Sequence, residues 1–403
     1  MDQTTPTEAF PAPVREKLIT SAYLWSFLSS FLMFFAFYLL LPVLPMYLAD
    51  EFHAGKSLVG IILSSYTITA LLIRPFAGYL VDSLPRKLLL VCCYTVFVAF
   101  FCGYMLAATV LCFSVLRALH GMAFGLVTIS NSTVAVDVMP ASRRNEGIGY
   151  YALSTNIAMA IGPMGALYLY DRFGNYQYIF LTSFLTGVAG ICCVLMIRTP
   201  GRQPVKREAL SFDRFFLVKG LPCAWLLTLL SFSYGILTTY VAIYGTEEVG
   251  LGSGTGFFFI IMALGLVLSR LTAAPLMNRG QLTKAVWIGI LIMLGSYTLF
   301  IFLKTALFFY LSALLLGIAY GYVCPAFQAM FINLAHHNQR GTANSTYYIS
   351  WDLGIGIGVL VGGQIADIAN YTASYIAGLI LVAIGLAGFR MYVASYYQRN
   401  KLR

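Results

Sequence analysis

The chain has 403 residues, of which 60% are hydrophobic and only 10% are charged, and its formal net charge is +10. Soluble domains are typically about a quarter charged, so this composition excludes a soluble enzyme, a nucleic-acid-binding domain and a peripheral membrane protein. At about 20 apolar residues per membrane-spanning helix, the hydrophobic content corresponds to roughly twelve spans. We expect the eight cysteines, which lie in apolar runs, to pack as small apolar residues rather than bind metal.

Charged residues, prolines and glycines divide the chain into twelve apolar segments with short connections. The first six predicted spans are 19–48, 56–82, 87–108, 110–138, 145–171 and 176–198. The last six are 216–246, 252–278, 283–304, 306–334, 341–367 and 371–396. We therefore predict an all-α membrane protein composed of an N-terminal tail 1–18, a six-helix bundle 19–198, a linker 199–215, a second six-helix bundle 216–396 and a C-terminal tail 397–403.

Lys and Arg are distributed unevenly across this topology. Nineteen fall on the side of the two tails and the linker, three lie in loops on the other side, and three lie within spans. Because positively charged loops stay in the cytoplasm, both termini are predicted to be cytoplasmic, in a multi-pass protein of the plasma (bacterial inner) membrane. The three intramembrane positions are Arg74, Arg117 and Arg270.

The two halves are related by an internal repeat with an offset of 196 residues. At this offset several glycines align, and Arg74 aligns with Arg270. Two parallel six-helix repeats are the plan of one large transporter class. Residues that are the same in both halves are expected to support the shared fold. Residues that differ chemically between the halves are expected to serve a function that the two halves do not share. The differing pairs are Arg117 with Ala313, Asp82 with Asn278, and Asn156 with Asp352.

The loop after the second span reads Arg74-Pro75-Phe76-Ala77-Gly78-Tyr79-Leu80-Val81-Asp82-Ser83-Leu84-Pro85-Arg86-Lys87. With this loop the chain resembles the major facilitator superfamily, over essentially its full length, although Ser83 and Pro85 depart from the family's pattern. The resemblance implies a twelve-helix transporter with a cytoplasmic gate at this loop, in which Asp137 pairs with Arg86 or Lys87. The predicted gate residues are Gly78, Asp82, Arg86, Lys87, Asp137, Arg144 and Arg340. The alternative is that these charges are ordinary anchors on the positive side.

The fourth span contains Arg117 followed by Gly121, which is similar to the family's Arg-x-x-x-Gly signature associated with proton transfer. An Arg in the apolar layer costs about 2.5–3.5 kcal/mol on insertion scales, so it needs a partner or a wet cavity. Its neighbour His120 could carry a proton near neutral pH. The alternatives are an Arg117 that reaches the membrane interface and a His120 that only packs.

The fifth span contains Gly162-Pro163, which is similar to a signature associated with antiporters of the superfamily. Pro163 removes a helix donor and permits a bend, and the small residues beside it permit close packing. The resemblance therefore implies export by antiport, although a generic kinked helix would carry the same pattern.

Asp352 is the only acidic residue that the predicted topology places near the bilayer midplane. A membrane-buried carboxylate suits proton loading, so we expect Asp352 and Arg117 to be a coupling pair, one from each half. The alternative is a structural hydrogen-bonding group. Aromatic and neutral polar side chains are expected to complete a cavity for a small amphipathic solute rather than a polyanion. These are Tyr38, Asn131, Asn156, Tyr234, Tyr320, Gln328 and Trp351.

The leading prediction is a secondary transporter that exports a small organic solute in exchange for protons by alternating access. A proton symporter that imports a nutrient is the close alternative, and a transporter-like receptor or a membrane enzyme is a weaker one. No nucleotide-binding loop is present, and no cofactor, metal or nucleic acid is expected. The expected partners are the solute, protons and the lipid bilayer, with the monomer as the functional unit.

Overall fold

A computed structural model describes residues 17–54, 56–199, 215–251 and 255–402 of the chain. Within these residues twelve helices are long and apolar enough to cross a membrane, as predicted, and there is no strand. Most of the predicted N-terminal tail and linker, residues 1–16 and 200–214, lie outside the described residues.

The described residues of the first half form seven α-helices. They are α1 (Ser21–Leu40), α2 (Leu44–Phe52), α3 (Lys56–Ser83), α4 (Arg86–Leu106), α5 (Val110–Val138), α6 (Arg144–Phe173) and α7 (Tyr176–Met196). The predicted span 19–48 is divided, because the chain turns at residues 41–43 and a proline at the start of α2 begins a new helix. Helix α2 has nine residues and is too short to span a bilayer.

The second half repeats the arrangement without the short extra helix. Its helices are α8 (Leu221–Glu247), α9 (Phe257–Asn278), α10 (Leu282–Phe302), α11 (Ala306–Leu334), α12 (Arg340–Ile368), α13 (Tyr371–Gly388) and α14 (Ala394–Asn400). A single π-helical turn, Phe389–Val393, joins α13 to α14, so that the last span continues to Asn400 rather than ending at 396. The helix ends that carry Arg86, Arg144 and Arg340 define what we call the basic end of the bundle, and the opposite end is the far end.

The repeat is visible in two close helix contacts. A Cβ atom built on Gly121 would lie 2.2 Å from the carbonyl oxygen of Tyr66, and one on Gly317 would lie 2.0 Å from that of Met262. Both glycine positions and both carbonyl positions are related by the 196-residue offset. Glycine therefore lets α5 pack backbone to backbone on α3, and α11 on α9, in the same way.

Each half has its own apolar core, and the two cores meet at the basic end. The core of the second half takes in residues from the basic ends of α1, α5 and α6, including Tyr23, Val136, Met139 and Ile148. A separate small cluster of Ala77, Val81 and Ile129 packs against Tyr348 of the second half. The halves are thus joined by apolar packing at the end where their charged residues also lie.

Candidate functional site

Four charged side chains form an ion-pair network at the basic end. The Arg86 guanidinium donates to both carboxylate oxygens of Asp137, at 2.8 and 2.7 Å, and to Asp82 at 2.7 Å. Arg340, from the other half, donates to Asp137 at 2.7 Å. Charge-assisted bonds of this kind are stronger than neutral ones, so the network holds α3, α4, α5 and α12 together.

Asp82 also caps a helix of the opposite half. Its carboxylate accepts hydrogen bonds from the backbone N–H groups of Gly341 and Thr342, both at 2.8 Å, and from the Thr342 hydroxyl at 3.0 Å. The N-cap residue of α12, Gln339, contributes no side-chain capping bond. Because the first N–H groups of a helix have no partner within it, Asp82 satisfies donors that α12 leaves open.

Two glycines make this contact possible. A Cβ atom on Gly78 would lie 2.8 Å from Cβ of Ser345, and one on Gly341 would lie 2.7 Å from the carbonyl oxygen of Gly78. Helices α3 and α12 therefore cross at a separation that larger residues would prevent. The predicted gate residues Gly78, Asp82, Arg86, Asp137 and Arg340 are thus brought together.

Two other predicted gate residues lie beside this network. Lys87 is half-buried and donates to the carbonyl oxygen of Leu195 at 2.9 Å, and it is Arg86 that pairs with Asp137. Arg144 is buried, and its Nε donates to the carbonyl oxygen of Val136 at 3.4 Å.

A cavity of about 320 Å³ lies between the halves, above the network. Its walls come from α1, α3, α5 and α6 of the first half and from α8, α9, α11 and α12 of the second, and they are rich in aromatic side chains. Six of the seven predicted cavity residues line it: Tyr38, Asn156, Tyr234, Tyr320, Gln328 and Trp351. The seventh, Asn131, is fully buried within the first half, where it accepts a hydrogen bond from Ser29 at 3.1 Å.

An ion pair joins the two halves at the wall of this cavity. The Arg74 Nη2 atom lies 2.6 Å from Oδ2 of Asp352, with the Arg74 side chain 3% exposed and that of Asp352 20% exposed. Asp352 is about 18 Å along α12 from its start, at 1.5 Å per residue, which places the pair near the middle of the bundle. The Arg74 guanidinium also lies over the ring of Tyr348, 4.8 Å from its centroid.

The ion-pair partner of Asp352 is Arg74, whereas Arg117, which we expected to act with Asp352 in proton coupling, lies elsewhere. Arg117 is enclosed in the first half, where its guanidinium lies 4.0 Å from the centroid of the Tyr66 ring and 3.5 Å from the Tyr104 hydroxyl. Tyr66 packs against the cavity-lining rings of Phe37 and Phe124, so Arg117 lies behind the cavity wall. The sequence places Arg117 and Asp352 within spans, but it does not show which faces of α5 and α12 these residues occupy.

His120 lies beside Arg117 in an aromatic enclosure. Its Nδ1 atom is 2.7 Å from the Tyr104 hydroxyl, while its Nε2 atom is buried and has no hydrogen-bond partner among the described residues. The rings of Phe97, Phe100 and Phe101 surround it. Arg117, Tyr104 and His120 thus form a polar group inside the first half, separate from the cavity.

Gly162 and Pro163 lie inside α6, which forms one wall of the cavity. A Cβ atom on Gly162 would lie 2.6 Å from Cβ of Tyr38, so glycine permits α1 and α6 to approach at this point. Tyr38 on α1 and Asn156 on α6 therefore both line this part of the cavity.

The sequence analysis missed two cavity residues, Arg74 and Arg270, because their equivalence in the repeat was interpreted as shared scaffold. Both line the cavity. Arg270 is 4% exposed, and its Nη1 atom donates to the carbonyl oxygen of Gly321 at 3.0 Å. The sequence did contain a signal for these two residues, since an Arg within a span is costly unless it serves a site.

Within the described ranges no three His, Cys, Asp or Glu side chains are grouped as metal ligands would be.

Comparison with known proteins identifies relatives of the whole architecture. The model of the Major Facilitator Superfamily matches residues 26–359 and 255–401. The chain is 24% identical over 369 residues to multidrug resistance protein 1 of Bacillus subtilis, covering 89% of this chain and 92% of that protein. It is 23% identical over 394 residues to the quinolone resistance protein NorA of Staphylococcus aureus, covering 93% and 96%.

Among solved structures, a bacterial homologue of the iron transporter ferroportin in its outward-facing state superimposes with a TM-score of 0.78. The two share 15% sequence identity, and the match covers 93% of this chain and 99% of the other. At this identity the likeness concerns the fold, which is the arrangement of two six-helix bundles described above.

Proposed function

Because the chain belongs to the major facilitator superfamily of membrane transporters, we propose that it exports a small organic solute in exchange for protons. The family consists of transporters rather than enzymes, and twelve spans make this chain a multi-pass membrane protein. The observation that carries the proposal is the ion pair between Arg74 and Asp352, which joins the halves at the cavity wall.

Protonation of Asp352 would couple the cavity to movement of the halves. The neutral acid no longer attracts Arg74, and a buried guanidinium that loses its carboxylate is destabilised. Proton binding therefore weakens the contact between α3 and α12, and proton release restores it. A carboxylate that is 20% exposed to the cavity can exchange protons with the water or solute there.

The ion-pair network at the basic end acts as the gate in this mechanism. Its members Asp137 and Arg340 come from opposite halves, so the network must break when the cavity opens toward that end. The excess of Lys and Arg at this end supports a cytoplasmic location for it and for both termini. The described conformation is then closed to the cytoplasm.

Export is the direction that we propose. The names of both relatives record resistance to drugs, which is what export of a small organic solute would produce. The aromatic cavity walls suit a solute with an apolar body. Arg117 and His120 are proposed to support the proton step from behind the wall, through Tyr66, rather than by contact with Asp352.

The test is transport by the purified full chain in proteoliposomes that contain a pH-sensitive dye. Fluorescent quinolones and other small aromatic solutes are supplied with and without an imposed pH gradient. Wild type should move protons against the solute, whereas Asp352→Asn should keep solute exchange but lose its dependence on the gradient. Glu51→Gln, which removes an exposed acid, is the matched control and should behave as wild type.

The outcomes separate the alternatives. Protons that move in the same direction as the solute would replace export with symport. Gradient-driven flux that Asp352→Asn leaves unchanged would remove Asp352 from the mechanism.

A further inference from the structure

The repeat places two equivalent residue pairs on opposite sides of the cavity. Arg74 on α3 and Asp352 on α12 have Arg270 on α9 and Asn156 on α6 as their counterparts, each shifted by 196 residues. All four line the cavity. One arginine thus faces a carboxylate, and the other has a neutral amide in the equivalent place.

Arg270 has no anionic partner among the described residues. It forms no salt bridge within the described part of the chain, it is 4% exposed, and its Nε atom has no hydrogen-bond partner. Among the described residues its hydrogen-bond acceptor is the carbonyl oxygen of Gly321. A buried charge without a partner is costly, so the site is incomplete without an anion.

We propose that Arg270 and Asn156 form a subsite for a single anionic group, such as a carboxylate, on an aromatic solute. A guanidinium donates to carboxylates in a planar, often bidentate geometry, and the Asn156 amide can add a further donor. The rings of Tyr38, Tyr234 and Trp351 hold the apolar body of the solute in the same cavity. This inference rests on the proposed transport function and names its substrate class.

The charge of the cavity limits the number of anionic groups to one. Arg74 is already neutralised by Asp352, so Arg270 is the remaining positive charge on the described walls. A volume of about 320 Å³ lies at the lower end of the range of ligand sites. A small monoanion or zwitterion fits both properties, whereas a polyanion would leave charges without partners.

The first test compares three naphthalene probes of nearly equal size on the purified wild-type chain by isothermal titration calorimetry. They are 2-naphthoate, 2-naphthamide and 2-naphthylmethylammonium. We expect 2-naphthoate to bind at least about tenfold more tightly than the amide, with the ammonium weakest. Equal affinities, or a preference for the ammonium, would overturn the subsite, and no variant has to fold for that result.

The second test changes the subsite. Asn156→Asp places a carboxylate on the cavity wall at the position that is equivalent to Asp352 in the repeat. It should reduce 2-naphthoate affinity about tenfold with little effect on 2-naphthamide. Gln281→Glu adds the same charge at an exposed position and is its control. Arg270→Gln should have the same effect as Asn156→Asp, with exposed Arg279→Gln as control. Unchanged affinity in Asn156→Asp would contradict the proposal.

Flux in proteoliposomes separates this inference from the proposed function. Selective binding of 2-naphthoate without transport of any solute supports the subsite and rejects the transport mechanism. Proton-linked transport of 2-naphthamide and 2-naphthoate at equal efficiency rejects the subsite and leaves the transport mechanism intact.

Discussion

The Nη1 atom of Arg340 lies 2.7 Å from Oδ1 of Asp137, so an ion pair joins the second half of the chain to the first at the basic end. The other oxygen of Asp137 is bound by Arg86 of its own half at 2.7 Å. Asp137 therefore links a contact within one half to a contact between the halves. Loss of this one carboxylate weakens both.

Asp137→Asn should shift the protein toward a form that is open at the basic end. The change removes the ion pair with Arg340, which joins the halves and which only the closed form makes. We expect about a tenfold shift in population, equivalent to about 1.4 kcal/mol. Spin labels introduced at exposed Ser142 and His336 through a bioorthogonal amino acid report the separation of the halves. The fraction of molecules with the longer distance between the two labels should increase.

The control for this experiment is Glu248→Gln. It removes an ion pair with Lys304 at the far end, within one half, and should leave the distance distribution unchanged. An unchanged distribution in Asp137→Asn as well would show that the gate network does not hold the closed form.

A double-mutant cycle should reveal strong coupling between Arg74 and Asp352. Each single change, Arg74→Gln or Asp352→Asn, leaves one charge of the pair without its partner. We expect each to lower the free energy of unfolding by an amount at the lower end of about 3–5 kcal/mol, because Asp352 is partly exposed. The double variant should be more stable than the sum of the single effects predicts. Apparent melting temperatures in detergent of the wild type, the two single variants and the double variant measure these effects.

The exposed pair Lys304 and Glu248 provides the comparison, with side chains that are 38% and 24% exposed. Its coupling should lie within about 0–1 kcal/mol. Additive effects at Arg74 and Asp352 would mean that the ion pair contributes nothing to the closed form.

Gly317→Ala should destabilise the protein, since its new methyl would lie 2.0 Å from the carbonyl oxygen of Met262 and α9 and α11 would have to separate. Overpacking of this kind costs typically about 1–3 kcal/mol. Gly121→Ala should have the same effect in the first half, where the corresponding distance is 2.2 Å. Thermal unfolding in detergent measures both.

Gly295→Ala is the matched control, because no atom lies within 4 Å of a Cβ built at that position. It replaces a helical glycine with a better helix former and should be neutral or stabilising by up to about 1 kcal/mol. Equal losses at Gly295 and Gly317 would argue against close packing as the cause.

Tyr66→Phe should leave stability and transport close to wild type, whereas Tyr66→Leu should impair both. The hydroxyl of Tyr66 has no hydrogen-bond partner in the part of the chain that the structure describes, but its ring lies under the Arg117 guanidinium. Loss of this cation–π contact costs about 0.5–2 kcal/mol. Thermal unfolding and proton-linked flux check the pair, and a defect in Tyr66→Phe would show that the hydroxyl has a function of its own.

The amino-acid sequence predicted the spans and the repeat well, because both depend on properties that each segment carries by itself. The length of an apolar run and the spacing of glycines need no knowledge of neighbours. The break at residues 41–43 was missed since the run from α1 into α2 stays apolar through the turn.

The cavity was predicted less completely, because a sequence gives the depth of a side chain but not the direction in which it points. Arg117 and Asp352 were paired as the two charges without equivalents, yet α5 turns Arg117 toward Tyr66. Asn156 and Asp352, which differ between the halves, both line the cavity. Their meaning depended on the arginines that face each residue, which only the packing of α3 on α12 and of α6 on α9 provides.

The capping of α12 by Asp82 has a consequence for how the halves separate. In the repeat, Asn278 at the end of α9 replaces Asp82, and Asn156 replaces Asp352. The boundary between α3 and α12 therefore carries both a carboxylate cap and an ion pair, and the boundary between α6 and α9 has amides at the equivalent positions. Opening at the basic end therefore has to break more charged contacts at the first boundary than at the second, and the protonation state of Asp352 affects only the first.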